Sequence, residues 1–121
     1  MSQIVVIEED QLMRELLVEW LTAAGYIVRS HAPVDVPAAV ERPDLVIVDV
    51  YMPRHQGARR LGAVKAVHND TPVIAMSAHF RPGLAGSRAA AEALGVAHVI
   101  AKPFTRGDLL AAVQTVIGSS G

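Results

Sequence analysis

Blocks of apolar and polar residues alternate along the 121-residue chain and predict a regular succession of strands and helices. Short runs rich in branched apolar residues are typical of strands that are covered on both faces, as parallel strands are. Such runs predict five strands, at residues 4–7, 26–29, 45–48, 73–76 and 96–101.

Helical spacing of apolar residues separates these strands. In the first helix the apolar pairs are Leu12/Met13, Leu16/Leu17 and Trp20/Leu21, the charged residues Arg14, Glu15 and Glu19 are predicted on the opposite side, and Gly25 stands as the C-cap glycine. Further helices are predicted at 35–42, 58–68 and 87–94. The last begins at Thr105, with Asp108 at the capping-box spacing, and runs to residue 117.

Five strands alternating with five helices predict an α/β protein with a doubly wound parallel sheet and helices on both faces. The chain is long enough for one domain but short for two. We expect a single domain over residues 1–121, with its core at about 3–117 and a flexible tail at 118–121.

Composition narrows the function classes. The chain is 51% hydrophobic, which excludes overall disorder, and its net charge of −1 gives no general attraction for nucleic acid or acidic membranes. It has no cysteine, which excludes disulfides and thiolate metal sites. The sequence also lacks a signal-peptide pattern and an apolar run of about 20 residues, so we expect a cytoplasmic protein.

Polar residues follow four of the predicted strands. They are Glu8 and Glu9 after the first, Asp49 after the third, Ser77 after the fourth and Lys102 after the fifth. The carboxyl ends of parallel strands meet at one sheet edge, where the reactive crevice of such folds lies. Crowded carboxylates indicate a hard cation such as Mg²⁺, and with a lysine and a hydroxyl they suit phosphoryl transfer to a carboxylate.

The ordered set of motifs resembles the response-regulator receiver domain, the CheY-like phosphoacceptor domain of two-component signalling. The acidic pair Glu8-Glu9, the strand-end Asp49, Ser77 followed by the small Ala78, and Lys102-Pro103-Phe104 all match. So do Met52-Pro53 and, eight residues beyond Asp49, Gly57. The resemblance spans nearly the whole chain and implies a flavodoxin-like sheet of order 2-1-3-4-5.

The resemblance also implies roles. Asp49 would accept a phosphoryl group from a sensor histidine kinase or histidine phosphotransfer protein, with Lys102 and Ser77 contacting its oxygens. Mg²⁺ or Mn²⁺ would be held by Glu9, Asp49 and the Tyr51 carbonyl, with Glu8 acting through water. Tyr51 and His79 would flank the hydrolytic water, and Pro53, Gly57 and Pro103, after a cis bond, would be structural. The domain would not be a classical enzyme.

Implied partners are the kinase, a downstream protein or fused output domain, and a second copy through the face of the fourth helix and fifth strand. Neither nucleic acid nor a membrane is an expected partner. Two departures favour an alternative, a pseudo-receiver that docks proteins without phosphorylation. Glu9 stands where the family usually has aspartate, and Val99 replaces the aromatic switch residue of many members.

The sequence does not support dinucleotide binding, serine hydrolase chemistry or a histidine metal site. No glycine-rich loop follows the first strand, no Gly-x-Ser-x-Gly motif surrounds Ser77, and the five histidines lack metal-ligand spacing.

Overall fold

A five-stranded, all-parallel sheet forms the centre of the molecule, with strand order β2-β1-β3-β4-β5. The computed structural model describes residues 2–31, 43–50, 62, 64–66, 70–77 and 91–118. Its strands are β1 (Gln3–Ile7), β2 (Ile27–His31), β3 (Leu45–Asp49), β4 (Val73–Ser77) and β5 (His98–Ala101). Its long helices are α1 (Gln11–Ala23) and the C-terminal helix (Arg106–Ile117). The predicted fold class and strand order are confirmed.

Alternate strand residues enter two separate apolar clusters, one on each face of the sheet. One cluster joins Ile4, Val6, Ile47 and their neighbours to α1 and the C-terminal helix. The other joins Val5, Ile7, Val46 and Val48 to Val64 and, around the partly buried Ala91 and Leu94, to the short helical stretch 91–94. Both faces are covered, which explains why the central strands are apolar throughout.

The ends of α1 and the C-terminal helix follow the sequence signals. Asp10 is the N-cap of α1 and accepts a hydrogen bond from the Met13 amide at 3.2 Å. Gly25 follows the C-cap with a φ of 99°, in the left-handed region that glycine adopts without strain. The capping box of Thr105 and Asp108 forms in both directions, at 3.0 Å each. These local contacts fix where the helices begin and end.

Some boundaries and faces differ from the prediction. β2 begins at Ile27, because the Tyr26 amide donates to the Leu21 carbonyl of α1 at 3.1 Å and the Ile27 amide is the first to donate to the β1 side, to the Ser2 carbonyl at 3.0 Å. Tyr26 is buried, and its hydroxyl donates to the Gly118 carbonyl at 3.0 Å. That bond also ties down the first residue of the predicted tail. β5 begins only at His98, and Leu12 is 76% exposed. At about 100° per residue, Leu12 lies 140° to 180° around α1 from the buried Leu17 and Leu21.

Several sequence predictions fall on other parts of the chain. The predicted helix at 35–42, most of the one at 58–68 and half of the one at 87–94 lie outside the described residues. The same holds for Tyr51, Pro53, Gly57, Ala78 and His79. Among the residues that the structure does describe, no helix is long and apolar enough to cross a bilayer.

Candidate functional site

Three strand ends bring their polar residues together at the carboxyl edge of the sheet. Glu8 follows β1, Asp49 ends β3, and Lys102 follows β5. The Lys102 ammonium lies 3.0 Å from Asp49 Oδ1 and 3.1 Å from Glu8 Oε2. One cation therefore bridges two carboxylates from neighbouring strands, as expected from the ends of parallel strands.

Backbone hydrogen bonds position these side chains. The Lys102 amide donates to the Ser77 carbonyl at 3.0 Å, and the Val50 amide donates to the Met76 carbonyl at 2.8 Å. The first bond extends the hydrogen-bond ladder between β4 and β5 by one residue beyond the end of β5. The second does the same for the ladder between β3 and β4, beyond the end of β3. Lys102 therefore starts from a fixed backbone and extends across β4 to reach both carboxylates. The Lys102-Pro103 bond is cis, as expected.

Burial makes the electrostatics of the site strong. The residues Glu8, Ser77 and Asp49 are 1%, 3% and 6% exposed, and the Lys102 side chain is 20% exposed. Charges in such surroundings interact more strongly than in water, and an unpaired one is costly. The single positive charge of Lys102 faces two carboxylates, so a second cation would be favoured here.

The pKa of the Glu8 carboxyl is raised, first by burial and then by the neighbouring charge of Asp49. The hydrogen bond from the Asp10 amide, at 3.1 Å, and the charge of Lys102 partly oppose this rise. Burial alone lowers the pKa of Lys102, but its hydrogen bond to Asp49 and the charges of Glu8 and Asp49 outweigh that effect, so its pKa is raised. Lys102 is therefore held as a cation.

The acidic pair divides into an inner and an outer residue. Glu8 points into the site, whereas Glu9 is exposed at the turn between β1 and α1. The described residues include no group of three or more His, Asp or Glu side chains placed to hold a metal together. Mg²⁺ usually binds proteins through one or two carboxylates and keeps several waters. The oxygen donors of Glu8 and Asp49 fit that requirement.

Ser77 and Val99 complete the described part of the site. Ser77 ends β4, the strand between Asp49 and Lys102, and is buried there. Val99 is buried in the cluster with Val5 and Ala75.

Arg14 makes a contact that the sequence pattern does not indicate. The pattern predicts Arg14 on the side of α1 opposite the apolar pairs, but the residue is half-buried and its Nη1 donates to the Glu8 carbonyl at 2.7 Å. Arg14 precedes the buried Leu21 by seven residues, which places the two about 20° apart around the helix. Counting from Leu21 would have placed Arg14 on the buried side.

Comparison with known proteins adds independent findings. The family model of the response regulator receiver domain matches residues 4–114. The response regulator MprA of Mycobacterium ulcerans is 29% identical over 118 residues, which cover 95% of this chain and 50% of that protein. The chain thus spans about half the length of the curated relatives it matches.

Two solved structures illustrate the shared fold. The chemotaxis protein CheY4 of Vibrio cholerae superposes with a TM-score of 0.76 at 24% identity, covering 96% of this chain and 98% of that one. A response regulator receiver protein from Burkholderia phymatum gives a TM-score of 0.75 at 27% identity, with coverage of 98% and 97%.

Proposed function

The chain belongs to the response regulator receiver domain family of two-component signalling, and on that premise we propose that it is a phosphorylation-dependent switch with Asp49 as the phosphoacceptor. The observation that carries the proposal is the bridge made by Lys102. A buried carboxylate at a strand end contacts a lysine from another strand end at 3.0 Å, beside a second carboxylate and a buried serine.

In the proposed transfer, a carboxylate oxygen of Asp49 attacks the phosphorus of a phosphohistidine on a kinase or phosphotransfer protein. A P–O bond forms to Asp49, the P–N bond breaks, and the histidine nitrogen keeps its electron pair. The chemistry needs positioning and charge stabilisation more than covalent help. Lys102 and the Ser77 hydroxyl would contact the oxygens of the transferred group.

Receiver domains generally bind Mg²⁺ at the phosphorylation site, and the carboxylates here suit it. When bound, the ion would neutralise charge on the phosphoryl oxygens. Glu8 and Asp49 would hold it, and the contribution of Glu9 and of the Tyr51 carbonyl stays a prediction. Mn²⁺ would fill the same role. The burial of Glu8 and the exposure of Glu9 support the assignment of the ion to Glu8 and Asp49.

The phosphoryl group adds a charge of about −1.5 to −2, which would draw Lys102 away from Glu8 and alter the surface beyond β4 and β5. We propose that this surface binds a downstream protein, an output domain or a second copy of the chain. Tyr51 and His79 are proposed to modulate hydrolysis of the phosphoryl group, and Ala78 to give the switch room beside Ser77.

The test is phosphorylation by a small phosphodonor with Mg²⁺, read as intact mass. We expect one added phosphoryl group on the wild type and none on Asp49→Asn, which keeps the size of the side chain but removes the nucleophile. The matched control is Asp44→Asn, because Asp44 is exposed beside the opposite end of the same strand. It should label like the wild type.

Labelling of Asp49→Asn with one phosphoryl group would contradict the proposal. An unlabelled wild type under saturating donor and Mg²⁺ would favour the phosphorylation-independent docking module instead. The small buried Val99 and the exposed Glu9 are the observations on that side.

A further inference from the structure

Arg14 is a cationic side chain of α1 that contacts the backbone of a site residue. It is half-buried, and its Nη1 atom lies 2.7 Å from the carbonyl oxygen of Glu8. Hydrogen bonds from a charged donor are shorter and stronger than those between neutral groups. The contact therefore joins the side of α1 firmly to the end of β1, at the residue whose carboxylate enters the site.

The turn between β1 and α1 is closed by a set of hydrogen bonds that all involve residues 8 to 14. The Asp10 amide donates to Glu8 Oε1 at 3.1 Å, and the Asp10 side chain accepts from the Met13 amide at 3.2 Å. The Arg14 amide donates to the Asp10 carbonyl at 2.9 Å. Arg14 thus holds the turn through both its backbone and its side chain.

Glu8 is fixed at three points as a result. Arg14 holds its carbonyl, the Asp10 amide holds one carboxylate oxygen, and Lys102 holds the other. The last two contacts require the carboxylate to keep its direction, and that direction depends on the backbone of Glu8. Arg14 contacts the main-chain carbonyl of Glu8, whereas the Asp10 amide and Lys102 contact its carboxylate. The contact made by Arg14 therefore acts on the position of the Glu8 backbone.

We propose that Arg14 is a positioning residue for the phosphoacceptor site. It holds the main chain of Glu8 so that the carboxylate faces Lys102 and stands beside Asp49, where cation binding and phosphoryl transfer occur. This inference rests on the proposed function. A misplacement of about 1 Å at a reacting centre costs on the order of 100-fold in rate, so a residue outside the site can matter through geometry alone.

The first measurement uses neither metal nor phosphodonor. Hydrogen exchange of the Asp10 amide, followed by NMR, reports whether the Glu8 carboxylate still accepts its hydrogen bond. We expect Arg14→Met to raise that exchange rate about 10-fold, whereas Arg14→Lys, which keeps a cationic donor, should restore part of the protection. Arg106→Met is the matched control, because Arg106 is an exposed arginine at the start of the other long helix.

The second measurement is the rate of labelling by the small phosphodonor as a function of Mg²⁺ concentration, together with the Mg²⁺ affinity from NMR titration. Arg14→Met should lower the rate at limiting Mg²⁺ about 10-fold and weaken Mg²⁺ binding by a similar factor. Arg14→Lys should fall between it and the wild type, and Arg106→Met should match the wild type. Dispersed NMR spectra establish that each variant is folded, and if Arg14→Met does not fold, Arg14→Gln takes its place.

Unchanged Asp10 exchange in the Arg14 variant would overturn the proposal, and so would unchanged Mg²⁺ affinity and labelling rate. If Arg14→Lys and Arg14→Met lost labelling rate and Mg²⁺ affinity equally while both kept the Asp10 amide protected, the proposal would also be contradicted. A wild type that takes no phosphoryl group would refute the proposed function, whereas the exchange measurement would still decide whether Arg14 positions Glu8.

Discussion

The surroundings of the Glu8 carboxyl group shift its pKa in two opposite directions. Its side chain is buried next to the charge of Asp49, which favours the protonated form, while Lys102 and the Asp10 amide favour the ionised form. Burial is the largest of these effects, so the pKa of Glu8 is raised above its ordinary value of 4.5. Ionising Glu8 in the folded site therefore costs more free energy than ionising an ordinary glutamate, and a bound cation would reduce that cost.

The raised pKa predicts a pH dependence of stability. Between pH 4.5 and the folded-state pKa of Glu8, the folded protein binds more protons than the unfolded chain, so the free energy of unfolding falls as pH rises through this interval. Glu8→Gln removes this component. In metal-free buffer the stability of the variant relative to the wild type should rise with pH, by about 1.4 kcal/mol per unit of pKa shift.

Urea unfolding at a series of pH values measures this difference. Glu92→Gln is the control, because Glu92 is exposed and its replacement reports the effect of removing a surface carboxylate. A stability difference between Glu8→Gln and the wild type that stays constant from pH 4.5 upward would contradict the raised pKa.

At the residue scale, the sequence predicted that Glu8, Asp49 and Lys102 meet, but not how each residue at the strand ends is oriented. Asp49 and Lys102 could be placed because both follow apolar runs in parallel strands. The division between the buried Glu8 and the exposed Glu9 depends on the path of the chain as it leaves β1, which a run of two glutamates does not reveal. Arg14 was missed because its charge was taken as a sign of exposure, although a long arginine side chain can run along a buried surface.

At the scale of elements, a lysine joins two helical stretches on one face of the sheet. Lys65 Nζ donates to the Leu94 carbonyl at 2.6 Å, at the end of the stretch 91–94. Cations at the end of a helix satisfy its last carbonyls and interact well with its dipole. Gly95 follows with a φ of 69°, and a Cβ atom there would lie 2.7 Å from Lys65 Nζ. Gly95 therefore serves both the turn and the lysine contact.

Two glycine substitutions with opposite outcomes test this. Gly95→Ala should lower the free energy of unfolding by about 1–2 kcal/mol, because alanine is strained at a left-handed φ and its Cβ displaces Lys65. Gly107→Ala should raise that free energy by about 0.5–1 kcal/mol. Gly107 lies within the C-terminal helix, and its new Cβ would stand 3.7 Å from Thr105 Oγ1, an ordinary contact.

Urea midpoints of the two variants, measured with the wild type, decide the matter. A Gly95→Ala midpoint equal to or above that of the wild type would contradict the strain at Gly95, and a lowered Gly107→Ala midpoint would contradict the expected gain in the helix. Lys65→Met combined with Gly95→Ala separates the two causes, because only the strain of the backbone remains when the lysine is absent.

The bounds of a strand were predicted more accurately when more of its residues are buried and therefore apolar. β1, β3 and β4 were located to within a residue because four of the five residues in β1, and all five in β3 and β4, are buried. β2 is an edge strand with exposed Ile27 and Arg29, so its start was placed one residue early and its end two residues short. Val96 and Ala97 were assigned to β5, although the strand starts at His98.

At the scale of the whole molecule, one side chain connects segments that are far apart along the chain. Tyr26, at the entry to β2, donates its hydroxyl hydrogen to the Gly118 carbonyl, 92 residues away. The ring is buried in the same cluster as Leu21 and Val113, so packing brings the hydroxyl to the end of the C-terminal helix. Burial also raises the pKa of the Tyr26 hydroxyl. The neutral phenol, which can donate, is thus the favoured form.

Tyr26→Phe removes this hydrogen bond while keeping the ring, and it should lower the free energy of unfolding by about 1 kcal/mol. The loss should appear at the far end of the molecule. The Gly118 amide donates to the Gln114 carbonyl at 2.9 Å, and its hydrogen exchange should accelerate as the last turn of the helix loosens.

Thr105→Ala is the comparison, since it removes the N-cap of the same helix at a similar cost of about 1 kcal/mol. In that variant the amide of Asp108, which Thr105 caps, should exchange faster, and the Gly118 amide should exchange at no more than the rate set by the global loss of stability. If Tyr26→Phe left both the unfolding free energy and the Gly118 exchange unchanged, the bond between these distant segments would contribute nothing to the fold.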